Sequence, residues 1–243
     1  MILVNGQPAE TVDALDRGLA YGDGVFRTLR TRAGQPLWWR DQYAKLATDC
    51  SALMLACHEE AGLHAEVCRV AEAGEGVVKI LMTRGVGARG YALPQGQATT
   101  RIVLSAPLPA CAQAGSPDAV TARWCTLRLA RQPRLAGIKH LNRLENVLAR
   151  AEWNDPDIVE GLLCDDSGAV IGGVMSNLLM VKDGELLTPD LSQCGVAGVA
   201  RTRLLRAAAH LGMRIHIGRL LPDAILAADE VMISNSVIGV RRV

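Results

Sequence analysis

The sequence predicts an α/β (α+β) chain of two domains, and three observations carry that expectation. Segments with strand character alternate with segments of helical period in both halves. One run rich in proline and glycine, Pro107-Leu108-Pro109 through Gly115-Ser116-Pro117, interrupts them. Hydrophobic residues make up 49% of 243 positions, enough to fill more than one core. The domains that follow are a smaller N-terminal α/β domain over residues 1–107, a linker over 108–117 and a larger C-terminal domain over 118–243.

Taken in order, Met1 to Val4 and Gln7 to Thr11 read as a hairpin about Asn5-Gly6. Asp41 to Cys57 has helical spacing through Tyr43, Leu46, Leu53 and Met54, and a second helix is expected over Glu59 to Glu72. Val77 to Thr83 and Arg101 to Ala106 have strand composition. Beyond the linker come a strand over Ala122 to Leu129, a helix over Asn142 to Trp153, and strands at Gly161 to Cys164 and Asn177 to Val181. The turn Lys182-Asp183-Gly184 leads into Leu186-Leu187. A long helix starts near Gly198 and stops at Gly212, where glycine suits a left-handed cap. A last strand, Glu230 to Ser234, runs into Asn235-Ser236. No fixed-period repeat or low-complexity tract is present, which excludes solenoid and fibrous folds.

Charge and composition exclude several function classes. Twenty-six Lys and Arg stand against 25 Asp and Glu, so a net charge of +1 supplies no field for nucleic acid or an anionic membrane surface. One Phe, three Tyr and four Trp give no base-stacking platform. The seven cysteines, with no CxxC pair, argue against a disulfide framework and a zinc knuckle, and a reducing cytoplasm fits them. No metal site is expected. The first residues show neither a basic segment nor an apolar run of signal-peptide length. The uncharged stretch Ser167 to Val181 falls short of the roughly 20 apolar residues that span a bilayer. The expected partner is a small molecule.

Two places could carry chemistry. Only Lys45, Lys79, Lys139 and Lys182 are lysines. Lys139 lies in Gly137-Ile138-Lys139-His140-Leu141-Asn142, where apolar neighbours would partly desolvate an amine of ordinary pKa about 10.4 and make it a nucleophile and base. A lysine snorkelling from a strand end fits the same residues. Lys45 lies on a helix that could be solvated, Lys79 in a strand from which it could point outward, and Lys182 in a hairpin turn. The second place is Gly195-Val196-Ala197-Gly198-Val199-Ala200-Arg201, two glycines leading into a helix whose free N–H groups could cradle an anion or merely form a turn. A lysine and a phosphate cradle in an α/β chain suggest pyridoxal 5'-phosphate, whose aldehyde condenses with a lysine amine.

The motifs Asp16-Arg17-Gly18-Leu19-Ala20-Tyr21-Gly22-Asp23-Gly24-Val25-Phe26, Arg84-Gly85-Val86-Gly87-Ala88-Arg89-Gly90-Tyr91, Leu135 to Glu145, Met175-Ser176-Asn177-Leu178, Gly195 to Arg201 and Asn235-Ser236 follow one another in order along the chain. Together they make the chain resemble the class IV aminotransferase family, the fold type IV pyridoxal phosphate enzymes, over nearly its whole length. The resemblance implies a two-domain fold with the cofactor in the cleft between the domains. It implies that Lys139 holds the cofactor and moves the substrate proton. It also implies that Val199 and Ala200 donate N–H groups to the phosphate, that Ser236 closes the cup, and that Asn177 and Lys45 belong to the cofactor site. Arg89, with Tyr91 and Phe26, would contact substrate, Arg89 holding a carboxylate from the partner subunit of a homodimer; a solvated loop arginine is the other reading.

The lysine segment and the double-arginine glycine loop are most similar to lyase members. The expected reaction is therefore cleavage of 4-amino-4-deoxychorismate to 4-aminobenzoate and pyruvate, a step toward folate. A D-amino acid or branched-chain transaminase, and a non-catalytic degenerate paralogue, are the alternatives. Two departures from the family pattern stand out. Gly172 occupies the place of a glutamate that pairs with the pyridine nitrogen, and Lys45 that of an arginine that clamps the phosphate.

Overall fold

The computed structural model describes residues 1–243 apart from Glu72, Gln95, Gln97, Ala114 and Ser116. The expected helix end at Glu72 and the linker positions Ala114 and Ser116 therefore lie outside the described residues. The chain divides into two compact units: Met1–Pro109 with Lys139–Asn142, and Ala110–Ile138 with Arg143–Val243.

The first unit contains β1 (Ile2–Val4), β2 (Gln7–Pro8), α1 (Arg17–Tyr21), β3 (Gly24–Arg32), β4 (Gln35–Pro36), α2 (Trp39–Ala52), α3 (Glu60–Val70), β5 (Glu75–Thr83) and β6 (Thr100–Pro107). The six strands form one antiparallel sheet in the order β2-β1-β6-β5-β3-β4. The β1–β2 hairpin turns where expected: Asn5 and Gly6 both have positive φ, the geometry of a tight hairpin whose twist matches its strands. Leu46, Leu63 and Val67 of the two helices are completely buried, as are Leu3, Leu29, Val78 and Val103 of the sheet. The helix α2 stops at Ala52, five residues before the expected end at Cys57. Arg84 explains the stop, because its guanidinium donates to the carbonyls of Leu53 at 2.7 Å and Met54 at 2.9 Å and so satisfies acceptors a longer helix would use internally.

The strand β3 has no counterpart among the expected elements, although it lies between β5 and β4. Its alternation buries Val25, Arg27, Leu29 and Thr31. Two of those four are polar, so the hydrophobic period that marks a half-buried strand is broken.

The second unit contains β7 (Thr121–Leu129), α4 (Leu144–Arg150), β8 (Ile158–Asp165), β9 (Val170–Gly173), β10 (Asn177–Lys182), β11 (Glu185–Pro189), α5 (Val199–His210), β12 (Ile215–Gly218), α6 (Pro222–Leu226), β13 (Glu230–Asn235) and β14 (Gly239–Arg242). Five strands form a sheet in the order β12-β11-β10-β13-β14, and three form a second, β7-β8-β9. Leu178, Met180 and Ile233 of the larger sheet pack with Leu162, Cys164 and Val170 of the smaller one in a shared core. The expected helix over Asn142 to Trp153 shrinks to Leu144–Arg150. Its first residue, Asn142, belongs instead to the strip Lys139–Asn142 of the first unit, where Leu141 N–H donates to the Gly24 carbonyl at 2.9 Å. Among the described residues no helix is long and apolar enough to cross a membrane.

Candidate active site

In the first unit the strip Lys139–Asn142 runs along the start of β3. Phe26 N–H donates to the Lys139 carbonyl at 2.9 Å, and the Lys139 N–H donates to Asp49 Oδ2 at 3.2 Å. These bonds hold the lysine's backbone and leave its side chain half-buried, with Nζ 4.4 Å from the centroid of the Phe26 ring. Lys79 reaches the same ring, its Nζ at 5.1 Å. On β5, Lys79 alternates with the buried Val78 and Ile80 and is paired with Thr28, two residues along β3 from Phe26. Side chains two apart on a strand share a face, and that spacing was the signal available in the sequence had β3 been recognised.

Arg27 points to the opposite face and pairs with Asp49 of α2, and Lys45, one helical turn earlier, pairs with the same carboxylate. Asp49 and Arg27 are 1% and 3% exposed, so this is a buried hub of one carboxylate with two cations. Burial is the main reason both cations have pKa values below their usual range, and Asp49 pulls each partly back. The Lys45 ammonium is thus committed within the first unit.

The loop after β5 carries Arg89 and Tyr91, both exposed. It is anchored by the buried Arg17, whose Nη1 donates to the Gly90 carbonyl at 2.8 Å and whose Nε donates to Asp23 at 2.9 Å. Gly90 N–H donates to the Tyr21 hydroxyl at 3.2 Å, and the Tyr21 and Tyr91 rings lie 5.4 Å apart. Arg84 also donates to Asp23, at 2.8 Å. Burial works against the Asp23 charge, yet the hydrogen bonds from Arg84 and Arg17 outweigh it and hold the carboxyl below its usual pKa. A carboxyl depressed in this way adds stability that is complete above its unfolded pKa, near about 3.9, and disappears as pH falls through the folded value. Asp23→Asn should therefore lower stability at neutral pH by about 1.5 to 3 kcal/mol, and thermal denaturation should show the gap to the native protein closing in acid.

In the second unit α5 begins without any side-chain cap, at Gly198. Thr202 is the first residue of that turn to donate within the helix, to the Gly198 carbonyl, so the N–H groups of Val199, Ala200 and Arg201 have no intrahelical acceptor. Asn177 fixes the approach to the helix: its Nδ2 donates to the Val196 carbonyl at 2.7 Å and its Oδ1 accepts from Gly198 N–H at 3.0 Å. A Cβ at Gly198 would collide with that oxygen, which is why glycine stands there. Arg201 turns away, donating to Thr188 and the Pro189 carbonyl. Ser236 follows β13, where Ser234 pairs with Asn177, and Asn235 Oδ1 shapes its turn by accepting from Val237 and Ile238. An uncapped helix start built on glycine fits an anion such as a phosphate.

Gly172 lies in β9, and a Cβ there would stand 2.9 Å from the Ser176 carbonyl oxygen. The nearby acids are committed. Asp165 caps its own turn through Ser167 and Ala169, and Asp166 pairs with Arg131. Glu160, 2% exposed, went unnoticed in the sequence because nothing local marks it. Its carboxylate accepts from Ser176 Oγ at 2.7 Å and from the N–H groups of Gly161, Val174 and Met175 at 3.0, 3.0 and 3.2 Å, so it organises the turn between β9 and β10. Burial raises its pKa despite those hydrogen bonds. Gly172→Glu is accordingly expected to push the main chain apart and cost about 1 to 3 kcal/mol in denaturant titration rather than to supply a free acid.

Comparison with known proteins gives these groups a context. The family model described as amino-transferase class IV matches residues 24–243. An aminodeoxychorismate lyase from Vibrio harveyi is 32% identical over 99% of this chain and 89% of its own length. The crystal structure of 4-amino-4-deoxychorismate lyase from Pseudomonas aeruginosa is 44% identical, with a TM-score of 0.94 over 100% of this chain and 90% of that one. A hypothetical aminotransferase from Mycobacterium tuberculosis, solved in its PLP-bound form, shares the fold with a TM-score of 0.84 at 20% identity, covering 100% of this chain and 89% of its own.

Proposed function

Because the chain belongs to the class IV aminotransferase family, we propose that it is a pyridoxal 5'-phosphate-dependent lyase that converts 4-amino-4-deoxychorismate to 4-aminobenzoate and pyruvate, a step toward folate. The observation that carries the reading is Lys139, held by its backbone beside the Phe26 ring, in a chain similar to lyases along its whole length.

When bound, pyridoxal phosphate draws electrons from the carbon bearing the substrate amine and makes its hydrogen acidic. Lys139 would hold the cofactor, and its amine would remove that ring proton. The bond between the ring and the enolpyruvyl oxygen breaks, the ring becomes aromatic, and Lys139 returns the proton to the departing three-carbon unit, which leaves as pyruvate. Val199 and Ala200 N–H groups and the Ser236 hydroxyl would bind the phosphate, and Asn177 holds the helix start that presents them. Phe26 forms an apolar wall for the substrate ring. Tyr91 and Arg89 of the partner subunit bind a substrate carboxylate, the arginine through two parallel hydrogen bonds.

The homodimer in this reading is supported by α4, where Leu144, Val147 and Leu148 stand on one face and are 60% to 75% exposed. We place the protein in the cytoplasm, where its free cysteines remain reduced.

Arg89→Ala should lower kcat/KM by about tenfold to 150-fold, matching the roughly 1.5 to 3 kcal/mol of a hydrogen bond to a charged group, with cofactor content unchanged. The function itself is tested by supplying the holoenzyme with 4-amino-4-deoxychorismate, and separately with D-alanine or a branched-chain amino acid plus 2-oxoglutarate. Equal yields of 4-aminobenzoate and pyruvate are expected. Glutamate as the main product would make it a transaminase, and no product in either case would make it a degenerate paralogue.

A further inference from the structure

The loop after β5 folds back along the chain around α1 and is tied to it at several points. Arg17 N–H donates to the Gly85 carbonyl at 2.9 Å, and Gly87 N–H donates to the Leu15 carbonyl at 3.3 Å. A Cβ at Gly87 would stand 2.6 Å from the Arg17 Cδ, so glycine there makes room for the arginine stem. The ties end at Gly90, where both backbone polar groups are taken by side chains of α1: its N–H donates to the Tyr21 hydroxyl at 3.2 Å, and its carbonyl accepts from Arg17 Nη1 at 2.8 Å. The two clamping side chains brace each other, since the Arg17 guanidinium carbon lies 4.9 Å from the centroid of the Tyr21 ring, and Asp23 holds the Arg17 Nε. Gly90 has a φ of +104°, a conformation that favours glycine, and a Cβ there would meet nothing within 4 Å. Backbone conformation, and not space, therefore selects glycine at this point.

We propose that Arg17 and Tyr21 are positioning residues for substrate recognition: by holding the Gly90 backbone at both its N–H and its carbonyl, they set the direction in which the adjoining Arg89 side chain leaves the loop. The inference rests on the carboxylate-binding role proposed above for Arg89. A long, exposed side chain on a free loop gives up backbone and rotamer freedom when it grips an anion. A loop pinned on the next residue has less of that freedom left to lose, so the clamp strengthens substrate binding without adding a contact to substrate. Arg17 is 4% exposed and acts on substrate only through this loop. The effect belongs to binding in the ground state and transition state alike, which places it in KM and leaves kcat in place.

The test measures kcat and KM of the holoenzyme for 4-amino-4-deoxychorismate in Tyr21→Phe, Arg17→Lys and Gly90→Ala, each alone and combined with Arg89→Ala. Tyr21→Phe keeps the ring and removes only the acceptor of the Gly90 N–H. Arg17→Lys keeps a cation for Asp23 and loses the second arm that reaches Gly90. Gly90→Ala meets no neighbouring atom and acts through φ alone. Each should raise KM by about twofold to twelvefold, the worth of one hydrogen bond, with kcat within about twofold of native. On top of Arg89→Ala the same changes should leave KM unaltered, because the side chain they position is gone. The Kd of added 4-aminobenzoate, a carboxylate that needs no turnover, should follow the same pattern. If the native holoenzyme makes no 4-aminobenzoate, the lyase reading fails, and the Kd comparison still decides the clamp. Unchanged KM and Kd in Tyr21→Phe overturn the proposal. Equal effects with and without Arg89 overturn it too, since the clamp would then support the fold and not the arginine. Tyr21→Phe carries the test by itself if Arg17→Lys does not fold.

Discussion

Lys139→Ala is expected to abolish lyase turnover while leaving the fold intact. The two bonds that fix the strip, from Phe26 N–H to the Lys139 carbonyl and from the Lys139 N–H to Asp49, are made by backbone atoms that alanine retains. The side chain is half-buried against one aromatic ring, and its truncation removes little packing. The chemical loss is far larger in the proposed reaction, because there the same amine both anchors the cofactor and moves the proton. A positioned base alone contributes about 100-fold to 10,000-fold, and losing the covalent anchor adds to that. Turnover should fall by about 10,000-fold or more, with a melting temperature close to that of the native protein. Paired measurements of kcat and thermal unfolding check both halves of the expectation.

Asp49→Ala should show the opposite pattern, a large loss of stability. This carboxylate is 1% exposed and receives Arg27, Lys45 and the Lys139 N–H. Removing one partner of a buried ion pair leaves an uncompensated charge, which typically costs about 3 to 5 kcal/mol. Arg27, 3% exposed, cannot swing out to water without dragging β3 with it. Asp49→Asn keeps an acceptor and should lose less. Equilibrium urea unfolding of the three proteins gives the order native, Asp49→Asn, Asp49→Ala, in falling stability.

The same hub explains which parts of the fold could be read from the sequence. The hairpin at Asn5-Gly6, the strands over Val77 to Thr83 and Asn177 to Val181, and the α5 helix with its stop at Gly212 all follow local rules of turn chemistry and period. The strand β3 does not, because Arg27 and Thr31 occupy its buried face, and Arg27 is tolerated there only through a partner 22 residues away. No local pattern encodes that partnership. The early end of α2 has the same character, depending on Arg84 from 30 residues further along. The short α4 is a third case: helical spacing continues back to Asn142, but residues 139–142 belong to the first unit, where His140 bridges Val25 of β3.

For the candidate site, Lys139 and the glycine-led start of α5 stood out as candidates from local chemistry, while Asn177 and Ser236 entered only through the order of the family motifs. Lys79 and Glu160 did neither. Lys79 joins Phe26 only through the pairing of β3 with β5, and Glu160 becomes a hub only when the turn between β9 and β10 folds over it. At Gly172 the sequence showed a missing carboxylate, and the structure adds that a side chain there would require the Ser176 carbonyl, 2.9 Å from a Cβ, to shift.

Reduction of the holoenzyme with borohydride, followed by peptide mapping of its four lysines, tests the central claim most directly. Two ammonium groups flank the Phe26 ring, Lys139 at 4.4 Å and Lys79 at 5.1 Å, so the choice between them is a real one. The account requires the pyridoxyl adduct on Lys139 alone, and its absence from Lys139→Ala. An adduct on Lys79, Lys45 or Lys182 in the native protein would contradict it.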